Sequence, residues 1–460
     1  MIDNKSPTAA VGRRIKVRRA ELGLSQAQLA GADLSDSYIS LLESGRRAPS
    51  EDVMATLADR LRCSQMWLRS GLDEAALRTV RLRLREAELQ LRTGGAAAAL
   101  EITQEVATSD AADRETQEHA RFLEGCAFEA LGKLDRAIDI FSDVIEAAER
   151  EGDEPSIAAT VALSRCLREA GDVAAAIDVA RVGLRRLERD GAPPDEQFVE
   201  LSATLLAGYI ERGDFATAQR LADQNIAAAD VIGLPLSRGS AYWNAMVVAA
   251  ESGRLSDAER YGDRALALYG ETDGARNLAR LKVAYGWLLM RLNPPRPSSA
   301  LTILETASEE IHHSGSVVDQ AYLCTEKARA LLHLGKLDSA EQAAQQSIDL
   351  LGATSAAVPI EFARSAAVLA MIELAKEEKS AAGSHIEQAA TALNDVGVSR
   401  NASEVWRELG EIALTTGNQD VATQAFRNAL DCVGVSAPVE PTAHALAHSR
   451  LPAEPAATTV

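Results

Sequence analysis

"LSQAQLAGADLSDSYISLLESGRRAPS", residues 24–50, is a run of short apolar periods broken by turn residues, and its neighbours on both sides continue the pattern. Upstream, Val11, Ile15 and Leu22 share one face of a first helix, which Gly23 ends. Ser25 is a natural N-cap, and Gln28, three residues on, completes a capping box for a brief second helix bearing Leu29 and Ala30. Ser35 caps a third, "DSYISLLE", whose Ile39 and Leu42 point inward before Gly45 closes it. Pro49 and Ser50 start a fourth helix holding Val53, Leu57, Ala58 and Leu61, and "SQMWLRSG" supplies a fifth anchored by Met66 or Trp67. Five short helices with a tight turn between the second and third make a helix-turn-helix arrangement.

The run "RRAELGLSQAQLA…SYISLLESGRRAPS" closely resembles the Cro/CI (XRE) class of DNA-binding domains, over roughly residues 11–70. The resemblance implies a five-helix, lambda-repressor-like domain in which Arg19 pairs with Glu43 and Gln26 reaches a backbone phosphate. It makes the third helix the reader: Asp36, Ser37 and Leu41 face base edges, while Tyr38, Ser40, Arg46 and Arg47 touch sugar and phosphate. That helix holds no Arg, Asn or Gln for bidentate base contacts. Its sequence preference is expected to be modest, or to rest on Asp36 accepting from cytosine, Leu41 meeting a thymine methyl, and DNA shape. The link "LAGADLS" is a residue shorter than the family's usual turn.

Charge separates this head from the rest. The chain carries −19 overall, yet residues 1–70 hold 11 Lys and Arg against 8 Asp and Glu, and "RRIKVRR" puts five cations beside the reading helix. A mildly basic head suits phosphate, and an acidic body is repelled by it. No stretch approaches the ~18 apolar residues of a membrane span, and "MIDNKSPTAAVGRR" has no leader-like apolar segment, so a cytoplasmic protein without membrane contact is expected. The cysteines are too far apart for a zinc or redox pair and read as small apolar residues.

The remaining residues repeat. "GKLDRA" at Gly132, "GDVAAA" at Gly171, "GDFATA" at Gly213, "GRLSDA" at Gly253, "GKLDSA" at Gly335 and "GNQDVA" at Gly417 recur about every 40 residues. Weaker copies fall at Gly94, at Pro295 and at Glu378. Each unit reads as helix, glycine turn, helix, with an alanine five residues after the turn allowing close packing. The unit at Gly417 carries Trp406, Leu409, Gly410, Ala422 and Phe426 in the spacing of a tetratricopeptide repeat, and the unit at Gly132 adds Gly125, Phe128, Ala137 and Phe141. The resemblance to tetratricopeptide (TPR) proteins implies an all-α chain in which about nine units stack into a right-handed superhelix with a concave lining. The expected layout is a flexible N-terminus over 1–10, the helix-turn-helix domain over 11–70, a linker over 71–76, repeats over 77–434 and a disordered tail over 435–460. "NPPRPSS" at 293–299 replaces the glycine turn with either a hinge or a stiff loop.

Aromatic residues are only 4% of the chain, which gives weight to those at groove-facing positions. By TPR register these positions hold Phe122, Arg165 and Arg168 early, then Trp243, Lys282, Tyr285, Tyr322 and Arg329, with Asn244 beside Trp243. They line a cationic, aromatic groove or else pack between repeats. A helix-turn-helix followed by such repeats resembles, in architecture, the RRNPP peptide-pheromone regulators. That implies a homodimer on double-stranded DNA with a peptide or protein in the groove. No phosphate loop, nucleophile motif or metal-spaced cluster is present, and adjacent His312 and His313 point about 100° apart, so no enzyme, cofactor or metal is expected. The competing reading is a TPR adaptor that sequesters a partner protein, with the helix-turn-helix in a secondary role.

Overall fold

A computed structural model describes residues 7–189, 193–272, 275–352, 358–394, 396 and 399–434. The tail expected from residue 435 and the first six residues lie outside them. The described residues are helical throughout, without strands, and divide into two bodies at Leu205 and Leu206.

The first body opens with α1 (Pro7–Glu21), α2 (Gln26–Ala30), α3 (Asp36–Glu43), α4 (Glu51–Arg60) and α5 (Gln65–Ser70). Helix α1 therefore starts four residues ahead of Val11. Ile15, Leu29, Ile39, Leu42, Leu57, Leu61 and Leu68 form a fully buried core, and Val11, Leu22 and Val53 pack at its margin. The capping box is present: Gln28 N donates to Ser25 Oγ at 3.1 Å and Ser25 N to Gln28 Oε1 at 2.7 Å. Ser35, Ser50 and Ser64 likewise accept from the third residue of the next helix, each cap worth about 1 kcal/mol. The fifth helix is anchored by Leu68 rather than by Met66 or Trp67. A small module encloses a leucine completely, whereas the larger indole stays half-buried at its rim.

Only Gly71 to Asp73 separate α5 from α6 (Glu74–Arg92), because Asp73 caps α6 with its carboxylate. Helices α7 (Ala96–Ala107), α8 (Arg114–Ala130), α9 (Leu134–Glu151), α10 (Ile157–Glu169) and α11 (Val173–Leu187) continue as antiparallel pairs. Helix α12 (Glu196–Glu211) crosses the division between the bodies.

The second body continues the pairs with α13 (Phe215–Ile232), α14 (Pro235–Glu251), α15 (Leu255–Gly270), α16 (Ala275–Arg291), α17 (Pro297–Ser314) and α18 (Val317–His333). It ends with α19 (Leu337–Gly352), α20 (Pro359–Ala375), α21 (Lys379–Leu393), α22 (Arg400–Thr416) and α23 (Gln419–Asp431). The turn glycines 94, 132, 171, 213, 253, 335 and 417 all take the left-handed conformation that glycine adopts without strain. The alanines five residues on, such as Ala137, Ala258 and Ala340, are fully buried between the paired helices. At the eighth turn the register is one residue earlier than Glu378. Glu377 takes the positive φ of 66°, and Ala382, five residues on, fills the buried alanine position. In place of a glycine turn, "NPPRPSS" is held by Arg296, whose guanidinium meets Glu259 at 2.5 Å and whose N–H donates to Leu289 O at 3.0 Å. Those two anchors favour the stiff loop over the hinge.

Candidate functional site

In the head, α3 is fixed from behind. Arg19 of α1 reaches Glu43 with two bonds, Nε to Oε1 at 2.5 Å and Nη2 to Oε2 at 3.0 Å, and Gln26 Nε2 donates to Glu43 Oε2 at 2.8 Å. Burial alone pushes the Glu43 carboxyl up, but the hydrogen bonds from Arg19 and Gln26 outweigh it and hold the group below the usual carboxylate range. Gln26 is thus tied to α3 through one of its two amide hydrogens. Helix α1 passes so close to the end of α3 that a Cβ on Gly12 would collide with the Leu42 carbonyl. Gly12→Val is expected to destabilise the head by about 1–3 kcal/mol, read as a lower midpoint of the Trp67 unfolding transition.

At about 100° per residue, Ile39, Leu42 and Glu43 share the inner side of α3, and Asp36, Ser37, Ser40 and Leu41 share the outer one. The structure follows this division: the first three are buried and the other four exposed. Tyr38 sits at the edge, half-buried, with the Arg47 guanidinium 4.8 Å above its ring. Arg46 and Arg47 are exposed, and among the described residues neither forms an ion pair. The five cations of "RRIKVRR" do not all face outward. Arg14 donates to the carbonyls of Leu68 and Arg69, Arg18 to that of Leu61, and Arg19 to Glu43, so three of them bind the module together.

The residues expected to line a groove are divided between the two bodies. Arg165 and Arg168 lie in the first body, where Arg165 is clamped by both oxygens of Glu129 and Arg168 stands 3.7 Å from Glu169. Phe122 packs on Phe141 there. In the second body, Trp243 meets Tyr269 edge-on at 6.2 Å, so it belongs to the packing of α14 on α15. Tyr285 is buried for a specific reason: Gly262 leaves room for its ring across α15, and its hydroxyl donates to Asp263 at 2.5 Å. Asn244 is half-buried, its side-chain nitrogen without a hydrogen-bond partner, and Lys282 is half-buried.

Of these, Arg329 alone lines the cavity of about 360 Å³ in the second body. The cavity lies where first helices of different pairs meet on one face. Arg329 of α18 grips both oxygens of Glu408 on α22, with Nη2 to Oε2 at 2.8 Å. Arg291 of α16 faces Glu404 of α22 at 3.5 Å, and Arg400 approaches Glu251 of α14 at 3.4 Å while its N–H donates to Glu211. Hydroxyls of Thr325, Ser347 and Ser365, mutually 2.9–3.0 Å apart and buried, lock α18 against α19 and α20. That lock sets Glu326 and Arg329 beside Arg364, which stacks 5.7 Å from Tyr322. Glu326, Arg364, Glu404 and Glu408 lie outside the residues the sequence singles out; their signal is the charged residue recurring every three or four positions along α18 and α22 and the Glu361–Arg364 spacing on α20.

Burial pushes the thiols of Cys126, Cys166, Cys324 and Cys432 up, which keeps them as unreactive packing groups. The rings of His312 and His313 stand at 86° to each other, and among the described residues no cluster has metal-binding composition. Among those residues no helix is long and apolar enough to cross a membrane.

A helix-turn-helix family model matches residues 15–68 and a tetratricopeptide repeat model matches residues 122–191. No curated protein matches the chain. Solved structures similar to it include Bacillus thuringiensis PlcR in complex with the peptide PapR7 and DNA, 15% identical over 61% of this chain and 99% of that one, TM-score 0.37. A Rap protein complexed with competence and sporulation factor is 14% identical over 77% of this chain and 98% of that one, TM-score 0.49. NprR in complex with its cognate peptide NprX is 14% identical over 72% and 92%, TM-score 0.45. This chain is therefore an all-α protein that joins an N-terminal helix-turn-helix module to tetratricopeptide-type helical repeats.

Proposed function

We propose that the chain is a sequence-specific DNA-binding transcriptional regulator of the cytoplasm, working as a homodimer, whose repeat region receives a peptide or protein segment. The observation that carries this reading is the two-sidedness of α3. Its inner side is locked by Arg19 and Glu43, and its outer side presents Asp36, Ser37, Ser40 and Leu41 beside the exposed guanidinium groups of Arg46 and Arg47. A helix so displayed fits the major groove, with the cations on phosphate and the outer side chains at base edges. One head makes few contacts, and two on a symmetric dimer double them and read a two-fold site. The repeat body is acidic and stands off the duplex, leaving its cavity open to a ligand.

The adaptor reading draws on one feature, the lack of Arg, Asn or Gln on α3. Genome-wide mapping of bound DNA, in the presence and absence of culture supernatant, separates the two. Sharp sites whose occupancy changes with supernatant are expected from a ligand-responsive regulator. An even background in both conditions is the adaptor's result.

A further inference from the structure

Among the described residues, Glu326 is the carboxylate whose two oxygens are both buried and accept no hydrogen bond. It is 1% exposed and lines the 360 Å³ cavity. Its nearest cation, Arg329 Nε, stands 3.9 Å away, and that guanidinium directs its other nitrogens to Glu408. Arg364 is occupied with Glu361 at 3.6 Å and with the Tyr322 ring. The cluster thus sets three carboxylates (Glu326, Glu361, Glu408) against two guanidinium groups (Arg329, Arg364), one negative charge in excess. A buried carboxylate without donors weakens the fold, and such groups persist where a ligand supplies the missing partner. The rest of the wall pairs Arg291 with Glu404 and Arg407 with Glu411, which leaves the excess at Glu326 unchanged, adds His333, and is otherwise apolar, formed by Trp287, Met290, Leu332, Met371 and Val405.

From this we infer that the cavity is a subsite for one cationic group, an ammonium or guanidinium on an apolar stem, whose N–H groups donate to Glu326. The inference rests on the reading of the repeat body as a ligand receiver, and it specifies the chemistry: the ligand enters with a single positive charge, as a lysine or arginine side chain or a free amino terminus. The stem lies along Trp287 and Met371, and the charge neutralises the excess carboxylate.

The test uses the full chain labelled with 5-fluorotryptophan, the Trp287 resonance being assigned with Trp287→Phe. Four probes of similar size are titrated: n-butylguanidinium, n-pentylammonium, n-hexanol and n-pentanoate. Both cations are expected to shift the Trp287 resonance saturably and to bind about tenfold or more tightly than the alcohol or the carboxylate. Glu326→Gln and Glu326→Met are expected to erase that preference and to raise the thermal unfolding midpoint of the unliganded chain, since each removes a buried charge that accepts no hydrogen bond within the protein. The inference is overturned if neither cation gives a saturable shift, if pentanoate binds as well as the cations, or if the variants keep the preference or melt lower than the parent. DNA binding is not read in this assay. A failed gel shift leaves it standing, and its own failure leaves the reading of the head untouched.

Discussion

Arg329→Ala is expected to destabilise the second body by about 3–5 kcal/mol, whereas Glu408→Ala, the removal of its partner, costs only about 1–2 kcal/mol. The two members of one ion pair differ because of what each leaves behind. Without Arg329, Glu326 keeps Arg364 alone and Glu408 keeps Arg364 and Arg407, and Glu326 sits inside the body without a donor. Without Glu408, Arg329 turns to Glu326 at 3.9 Å, a carboxylate already waiting for hydrogen bonds. Urea unfolding followed by tryptophan fluorescence reads the difference directly, because Trp243, Trp287 and Trp406 all lie in the second body and only Trp67 in the first. Equal costs, or a greater cost for Glu408→Ala, contradict this account of the cluster.

The same cluster has two carboxyls shifted in opposite directions. Burial holds Glu326 above the usual range. Burial also pushes Glu408 up, but the charge and hydrogen bonds of Arg329 outweigh it and leave the group below that range. A raised folded value means that stability present below the unfolded value is lost as pH rises through the folded one. A depressed value means the reverse, with loss on acidification. The groups facing Glu326 are Tyr322 and Arg329 on its own helix, Glu361 and Arg364 from α20, and Glu408 from α22. The stability gained by Glu326→Gln is therefore expected to be small at about pH 5 and to grow towards about pH 8, as thermal melts across that range will show.

The second large effect concerns the head. Arg46→Ala with Arg47→Ala removes two exposed guanidinium groups that hold no carboxylate within the described structure. If each neutralises a phosphate, the slope of log affinity against log salt falls by about 2 for each head, and binding weakens nearly uniformly across sequences. The fold is expected to be unchanged, because neither side chain takes part in the module's internal hydrogen bonds. Arg14, Arg18 and Arg19 behave oppositely: their carbonyl and carboxylate partners make them supports of the module, so their loss lowers stability along with binding. An unaltered salt slope in the double variant removes Arg46 and Arg47 from the DNA-contacting surface.

How far the residues alone led can be judged from particular positions. Capping by Ser25 and Gln28, the inward Ile39 and Leu42, and the turn glycines were legible because each rests on local geometry, three or four residues deep. Arg19 and Glu43 were legible through family likeness, and the pair forms as implied. The register slip at Glu377 arose where glycine is missing and a glutamate takes the left-handed turn, a choice that no local preference announces. "RRIKVRR" looked like a uniform basic patch because carbonyl acceptors are invisible in a sequence. The period of Tyr285 permits either side of α16, groove or inter-repeat packing, and only the space over Gly262 decides between them. The cavity cluster was the least legible part. Glu408 and Arg329 are 79 residues apart and meet only because helices two pairs distant share one face.

The central claim is that the outer side of α3 reads a DNA major groove. Selection of bound duplexes from a randomised pool by the full chain, sequenced after several rounds, tests it most directly. The account predicts a two-fold motif with half-sites spaced by about one helical turn, 10–10.5 base pairs or a multiple, which disappears when Arg46 and Arg47 are both alanine. A pool that stays random with the parent chain, or a motif that survives unchanged in the double variant, contradicts it.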